Sequence, residues 1–193
     1  MGVETWVVAK WVGRDSGYVE YSGVNALVLA GTGPVGQRAA QLLANRGAKV
    51  RLASRSLERA ESACATIAAK VGGEVRITAC ETSTPASVEA ACDGVALIIA
   101  GGAAGVQLLA DSQWPSGETL QVAIDLNAVP PVGLAGVEPF DKAVERNGAI
   151  CYGAIGVGGT KMKIHKAALA RLFESNDQLL DTEAIYRIGE ELD

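Results

Sequence analysis

The sequence predicts a single α/β domain built on a doubly wound parallel sheet. Three observations predict it. Short apolar runs alternate with stretches of helical periodicity, the first run ends in a glycine-rich turn that opens a helix, and 193 residues suit one core. With 49% hydrophobic residues, a chain of this length buries enough apolar surface to need no disulfide or metal staple.

The elements follow in order. Trp6, Val7, Val8, Trp11 and Val12 give a leading helix at about 3–13. Val24–Ala30 is a continuous apolar run ending at glycine, hence a buried strand. Residues 34–47 carry small and apolar residues at helical spacing and stop at Gly47. Lys49–Ala53 is a second strand, and the Ala-rich stretch Leu57–Val71 is a helix closed by Gly72 and Gly73. Glu74–Cys80 alternates as a strand. Thr84 caps a helix over Pro85–Cys92, with proline at its first position. Val95–Ala100 is the fourth strand, followed by a short helix near 105–110, and Leu120–Asp125 is the fifth strand. After a Pro- and Gly-rich loop, a short helix is expected over 138–147 and a sixth strand over Ala149–Tyr152. Two helices at about 160–192 end the chain; the first has Leu169, Leu172 and Phe173 on one face, and Asp181 caps the second. No repeat or low-complexity linker interrupts the series, so 1–193 reads as one domain. Strands alternating with helices at this spacing call for right-handed crossovers and a parallel sheet.

Composition removes several function classes. A net charge of −5 without a Lys/Arg cluster argues against nucleic acid as a partner, and 5% aromatic residues leave little for stacking on single strands. No apolar run reaches the ~18 residues of a transmembrane helix, and the start lacks the pattern of a signal peptide. Cys64, Cys80, Cys92 and Cys151 are scattered without a CxxC pair, which fits free thiols in a reducing cytoplasm. One histidine leaves no His-rich metal site, and no metal is expected.

Gly31-Thr32-Gly33-Pro34-Val35-Gly36 is a GxGxxG turn directly after a strand and opening a helix. In that context the first glycine permits the turn, the second lets backbone approach a pyrophosphate, and the third allows close helix–strand packing. The expected fold is therefore Rossmann-like. Pro34 has no N–H, so the donors must come from neighbours such as Val35. At the tip of the second strand stands Ser54-Arg55-Ser56, with no carboxylate to take a ribose 2′-hydroxyl. A guanidinium there pairs a 2′-phosphate, so the cofactor expected is NADP rather than NAD; Glu58 nearby weighs the other way, and Arg55 is otherwise a solvated helix-start residue. Ala100 and Gly101 follow the fourth strand and either make room for the nicotinamide ribose or form a plain turn. Asp125 and Asn127 end the fifth strand, where Asp125 is equally a site residue or a cap that holds the fold. Lys161 and Lys163 oppose the dipole at a helix start, which suits a binding role or simple solvation.

Three segments carry a resemblance. VLAGTGPVGQRAAQLLANRGAKVRLASRS, DLNAVPPVGLAGVE and YGAIGVGGTKMKIHKAALARLFESNDQLLDTEAIY resemble, in this order, the NADP-dependent methylene-tetrahydromethanopterin and methylene-tetrahydrofolate dehydrogenases. The glycine turn is shared with many dehydrogenases; the DLNAVPP and GVGGTKMKIHKA segments are more specific. The resemblance implies reversible hydride transfer from a pterin-bound methylene to NADP⁺ in one-carbon metabolism, with a tetrahydropterin as substrate. It implies that Gly31 to Gly36 form the pyrophosphate loop, that Ser54, Arg55 and Ser56 read the adenosine phosphate, that Lys161 is the active-site lysine, and that Asp125 and Asn127 lie near nicotinamide and pterin. Such a reaction needs no base, because the flanking nitrogens expel the hydride and the product is a resonance-stabilised amidinium; positioning supplies the catalysis. The family usually carries an amino-terminal pterin domain of about one hundred residues, and Met1–Gly13 stands where its tail would be. The alternative expectation is a non-catalytic NADP-binding module derived by loss of that domain. A related dehydrogenase of the shikimate-dehydrogenase or glutamyl-tRNA-reductase kind would share the first βαβ units only. Trp6, Trp11, Leu179 and Leu180 are apolar residues near the two ends, and a cytoplasmic homo-oligomer is expected.

Overall fold

The computed structural model describes residues 21–72, 74–115 and 119–192, so the helix expected at 3–13 lies outside the described residues. Seven strands form one sheet: β1 (Asn25–Leu29), β2 (Lys49–Ser54), β3 (Ile77–Glu81), β4 (Leu97–Ala100), β5 (Val122–Asp125), β6 (Lys142–Arg146) and β7 (Ala149–Tyr152). Their spatial order is β3-β2-β1-β4-β5-β7-β6, and every pairing is parallel except β6 with β7. The chain runs outward from β1 to β3, then returns across β1 to β4. That reversal leaves a crevice at the carboxyl ends of β1 and β4, the place where this Rossmann-like topology binds ligands.

Among the described residues, five α-helices accompany the sheet: α1 (Pro34–Asn45), α2 (Leu57–Val71), α3 (Pro85–Cys92), α4 (Gly158–Leu172) and α5 (Thr182–Glu191). Leu43 of α1 and Ala60, Ala63 and Ile67 of α2 pack on one face of the sheet, against Val28, Val50 and Leu52. Val88, Ala91 and Cys92 of α3 cover the other face with Leu109, Leu134 and Val137. Both faces of β1, β4 and β5 are thus buried, which is why these strands are uninterrupted apolar runs. The α5 helix lies along α1 through Arg38–Glu183 and Arg46–Glu190 ion pairs, and α4 packs on α5 through Ile164, Ala168 and Ile188. No helix among the described residues is long and apolar enough to cross a membrane.

Local chemistry sets the boundaries. Ser56 caps α2 by accepting from Arg59 N, and Gly72 ends it at φ +71°. Thr84 and Ser87 exchange side chain to backbone bonds in a capping box that starts α3. The α1 helix stops at Asn45, two residues short of the expected end, and Gly47 follows at φ +87°. The strands begin and end within about three residues of their expected limits, the usual fraying of such boundaries. Cys64, Cys92 and Cys151 are buried free thiols, and burial pushes each up to about 11.

Two expectations are corrected. The segment 105–110 is not a helix. Gly105 takes φ +72°, and the N–H groups of Leu108 and Leu109 both donate to the Gly133 carbonyl, so this backbone is spent on the loop after β5. The segment 138–147 holds strand β6 instead of a short helix. Asn147 and Gly148, at φ +51° and +78°, form a two-residue turn that folds β6 antiparallel onto β7, with Arg146 opposite Ala149. The expected helix over about 160–174 is α4, whose Leu169, Leu172 and neighbouring Phe173 are exposed, Phe173 at 90%, while Ile164 and Ala168 are its buried residues.

Candidate functional site

The glycine turn lies at the crevice between β1 and β4. Its three glycines differ in what surrounds them. A Cβ on Gly31 would stand 2.7 Å from Leu52 Cγ and 3.0 Å from the Val28 carbonyl oxygen, so packing against β2 requires glycine there. A Cβ on Gly36 would stand 2.6 Å from the Gly31 Cα, so α1 approaches the turn only with glycine at that position. Gly33 is different. Its backbone is extended at φ −75° and ψ 166°, and a Cβ there would meet nothing within 4 Å. Neither conformation nor internal packing asks for glycine at 33. What the missing side chain leaves is open space above the mouth of the turn.

The α1 helix starts at this turn without a side-chain cap; Gly33 is its N-cap residue and Pro34 follows. The N–H groups of Val35 and Gly36 find no acceptor among the described residues. Two free donors and the helix dipole therefore point at the space that Gly33 leaves open, an arrangement suited to a phosphate. Gln37, which carries no signal in the sequence, donates from Nε2 to the Thr32 carbonyl at 2.8 Å. Because a trans peptide sets its N–H opposite its carbonyl, this bond turns the Gly33 N–H away from Gln37. Ala30, just before the turn, takes φ +51°, a conformation that L residues rarely adopt.

The neighbouring strand tips complete the crevice. Gly31 N donates to the Ala53 carbonyl, which brings Ser54, Arg55 and Ser56 beside the turn. Ser54 is buried and its hydroxyl accepts from Ser56 N; the Ser56 hydroxyl is taken by the α2 cap. Arg55 is exposed. On the other side, Gly101 N donates to the Leu29 carbonyl, and a Cβ on Gly101 would lie 3.6 Å from Gly36 N. Ala100 and Gly101 thus line the crevice directly across from the glycine turn.

Asp125 pairs in register with Ala100, so it too stands at this edge, but its carboxylate is already engaged. It accepts from Asn127 N at 2.9 Å and Leu134 N at 2.8 Å, and it is buried. Burial pushes its carboxyl up, and the backbone donors of Leu134, Asn127 and Gly133 oppose that rise. Asn127 is buried as well: its Nδ2 donates to the Pro131 carbonyl and its Oδ1 accepts from Val129 N. Both side chains hold the loop after β5, which contains a cis peptide between Pro130 and Pro131. Lys161 is exposed near the start of α4, beyond β7, and its side chain makes no hydrogen bond or ion pair among the described residues. Its helix is anchored from below. Gly153 N donates to the Asp141 carbonyl, and a Cβ on Gly156 would lie 1.8 Å from that same oxygen.

Sheet order and glycine turn together define a Rossmann-like α/β domain. The chain is 41% identical over 170 residues to the bifunctional protein MdtA of Methylorubrum extorquens, covering 88% of this chain and 58% of that protein. It is 28% identical over 177 residues to the NAD(P)-dependent methylenetetrahydromethanopterin dehydrogenase of the same organism, covering 90% of this chain and 59% of that protein. The chain therefore spans under three fifths of the length of the relatives it matches. Among solved structures it is similar to the ligand-free 5-ketofructose reductase of Gluconobacter sp. strain CHM43, with a TM-score of 0.50, 15% identity, and coverage of 99% of this chain and 63% of that one. That likeness is one of fold. No protein-family model matches the sequence.

Proposed function

We propose that the chain is the dinucleotide-binding core of an NADP-dependent oxidoreductase, acting on a methylene- or methenyl-tetrahydropterin. The observation that carries the dinucleotide part is Gly33, a glycine that nothing inside the protein requires, set at the mouth of a turn with two free N–H donors. The substrate class rests on the segments DLNAVPP and GVGGTKMKIHKA and on the relative whose name states a methylenetetrahydromethanopterin dehydrogenase.

The site residues fit the cofactor. The N–H groups of Val35 and Gly36 take the pyrophosphate over Gly33, while Ser54 and Arg55 take the 2′-phosphate; the Ser56 hydroxyl is committed to the helix cap and contributes through position. Ala100 and Gly101 leave room for the nicotinamide ribose. NADP, when bound, accepts the hydride. The remaining work is orientation. Asp125 and Asn127 set the shape of the loop that borders the nicotinamide end, and Lys161 orients a polar group of the pterin. No proton leaves the substrate carbon, so the site needs no general base.

The test is a steady-state assay of the purified chain with methylene-tetrahydromethanopterin and methylene-tetrahydrofolate, each with NADP⁺ and NAD⁺. Reduction of NADP⁺ in preference to NAD⁺ with one of the pterins is expected. Tight NADPH binding without turnover removes the oxidoreductase and leaves a binding module. Binding of neither dinucleotide removes the whole reading.

A further inference from the structure

The α4 helix carries apolar residues on two sides. On one, Ile164 and Ala168 pack against Ile188 of α5, with Ala167, Leu180 and Ile185 around them. Arg171 holds Glu191 and ties the same two helices together. The other side is bare among the described residues. Met162, Leu169 and Phe173 follow one another at intervals of two turns and then one, so they stack in a line, with Leu172 beside them. Phe173 lies just past the helix but keeps helical backbone, so it continues that line. Met162 is 51% exposed and Phe173 90%, and both leucines are exposed as well. One exposed leucine calls for no account, but these four leave on the order of 400 Å² of apolar surface in water, the size at which patches on soluble proteins are often functional. A standard interface covers about 800 Å² per partner, a little over half of it apolar, so the stripe supplies the apolar part of one.

The charges beside the stripe say what fits it. Lys163 and Lys166 flank its amino-terminal half, and Glu174 stands on the same flank at its carboxyl end. All three are exposed, and none has a hydrogen-bond or ion-pair partner for its side chain among the described residues. Lys163 and Glu174 lie about equally far from Leu169, to either side of it. A second α4 laid antiparallel across Leu169 on a two-fold axis sets Lys163 of each copy beside Glu174 of the other, and both contacts form at once. The lysines oppose the dipole of their own helix, but in that arrangement they sit beside the negative end of the other one. A parallel partner would set lysine against lysine. An anionic lipid surface would attract Lys163 and Lys166 but repel Glu174 and Asp177.

We infer that the face formed by Met162, Leu169 and Phe173 docks the same face of a second copy of this chain, antiparallel, with Leu169 at the crossing. The inference stands independently of the dinucleotide reading.

The experiment is sedimentation equilibrium of the full chain at micromolar concentration, where interfaces of this size hold. It compares the wild type, Phe173→Glu, Lys163→Glu, Glu174→Lys and the double variant Lys163→Glu/Glu174→Lys, with circular dichroism to check each fold. The wild type should be a dimer. Phe173→Glu should be a folded monomer, since a side chain 90% exposed has little to lose within its own chain. Each single charge variant should weaken the dimer by about tenfold, because the two-fold axis turns two attractions into repulsions, and the double variant should regain most of the loss. A monomeric wild type overturns the inference: if it then floats with phosphatidylserine vesicles the stripe belongs to a lipid surface, and if Phe173→Glu melts lower at unchanged mass another segment of the chain covers it. A dimer that survives Phe173→Glu, a closed trimer, or a double variant as weak as the single ones overturns it too.

Discussion

A Cβ on Gly36 would stand 2.6 Å from the Cα of Gly31. The two outer glycines of the turn thus serve each other, and the middle one serves neither. This separates stability from binding at positions three residues apart. Gly36→Ala should push α1 off the turn and cost on the order of 1–3 kcal/mol, the range for overpacking. Gly33→Ala should melt within about 0.5 kcal/mol of the wild type, as a change with no close neighbour does. The same variant should bind NADPH at least about tenfold more weakly, because its methyl group would fill the space where the proposed function seats the pyrophosphate. Thermal melting and NADPH titration of both variants check this. Normal NADPH affinity in Gly33→Ala would remove the observation on which the proposed function stands.

Asp125 should act on shape. Its two oxygens are committed to Asn127 N and Leu134 N, which ties both ends of the loop after β5 to the strand tip. Asp125→Ala leaves those buried donors unpaired, at about 1–3 kcal/mol each before relaxation. Asp125→Asn keeps one oxygen acceptor and should fall between Ala and wild type in melting temperature. If Asp125 instead takes part in the reaction, Asp125→Asn will lose turnover far beyond its loss of folded protein. Melting curves read beside kcat decide between the two.

The sequence made some parts of this molecule legible and concealed others, for physical reasons. The bounds of α2 and α3 could be read because their determinants are local: a Ser56 cap and Gly72 stop, a Thr84 cap and Pro85 start. The GxGxxG turn was readable for the same reason. The stretch 105–110 was not, since its fate is decided by the Gly133 carbonyl, more than twenty residues away. The β6–β7 hairpin lay in between. Asn147-Gly148 is a local turn signal, but β6 is an edge strand of mostly exposed residues, KAVER, without apolar alternation to announce it. In the site, the glycine pattern already separates the turn at Gly31, the phosphate approach at Gly33 and helix packing at Gly36. The neighbours that enforce the first and third, Leu52 and the Gly31 backbone, come from distant or folded contacts that the pattern does not name.

Asp141 makes the hairpin and α4 acid-sensitive. Its carboxylate accepts from Arg146 Nε at 2.7 Å, Arg146 Nη2 at 2.8 Å and Glu138 N at 2.8 Å. Burial pushes the carboxyl up, but the Arg146 guanidinium and the Glu138 N–H more than offset that and hold it below the usual carboxylate range. The unfolded chain therefore takes up this proton more readily than the folded one. The stabilisation is full above the unfolded value, about 3.9, and is lost as pH falls through the lower folded value. Asp141→Asn should melt lower than wild type at pH 7, by about 1–2 kcal/mol given that Arg146 is partly exposed. Below about pH 4 the gap should narrow, since acid removes from the wild type what the variant already lacks. Parallel melting profiles across that window would show that the pair contributes nothing.

Lys161 tests the pterin half of the proposed function without disturbing the rest. It is exposed and has no ion-pair partner among the described residues, so Lys161→Ala should keep the wild-type melting temperature and NADPH affinity. Its charge bears on what it does. Hydride loss turns the substrate carbon into a cationic amidinium, and a nearby ammonium disfavours a forming cation by Coulomb repulsion. Lys161 therefore serves the reaction best at a distance from that carbon, holding a carbonyl or anionic group elsewhere on the substrate. Uniform binding of that kind is read in KM: its removal should raise KM for the methylene-pterin by about tenfold with little change in kcat. A loss confined to kcat would place the ammonium in the hydride-transfer step itself. Unchanged kinetics would take Lys161 out of the site and leave the substrate contact to other residues around the crevice.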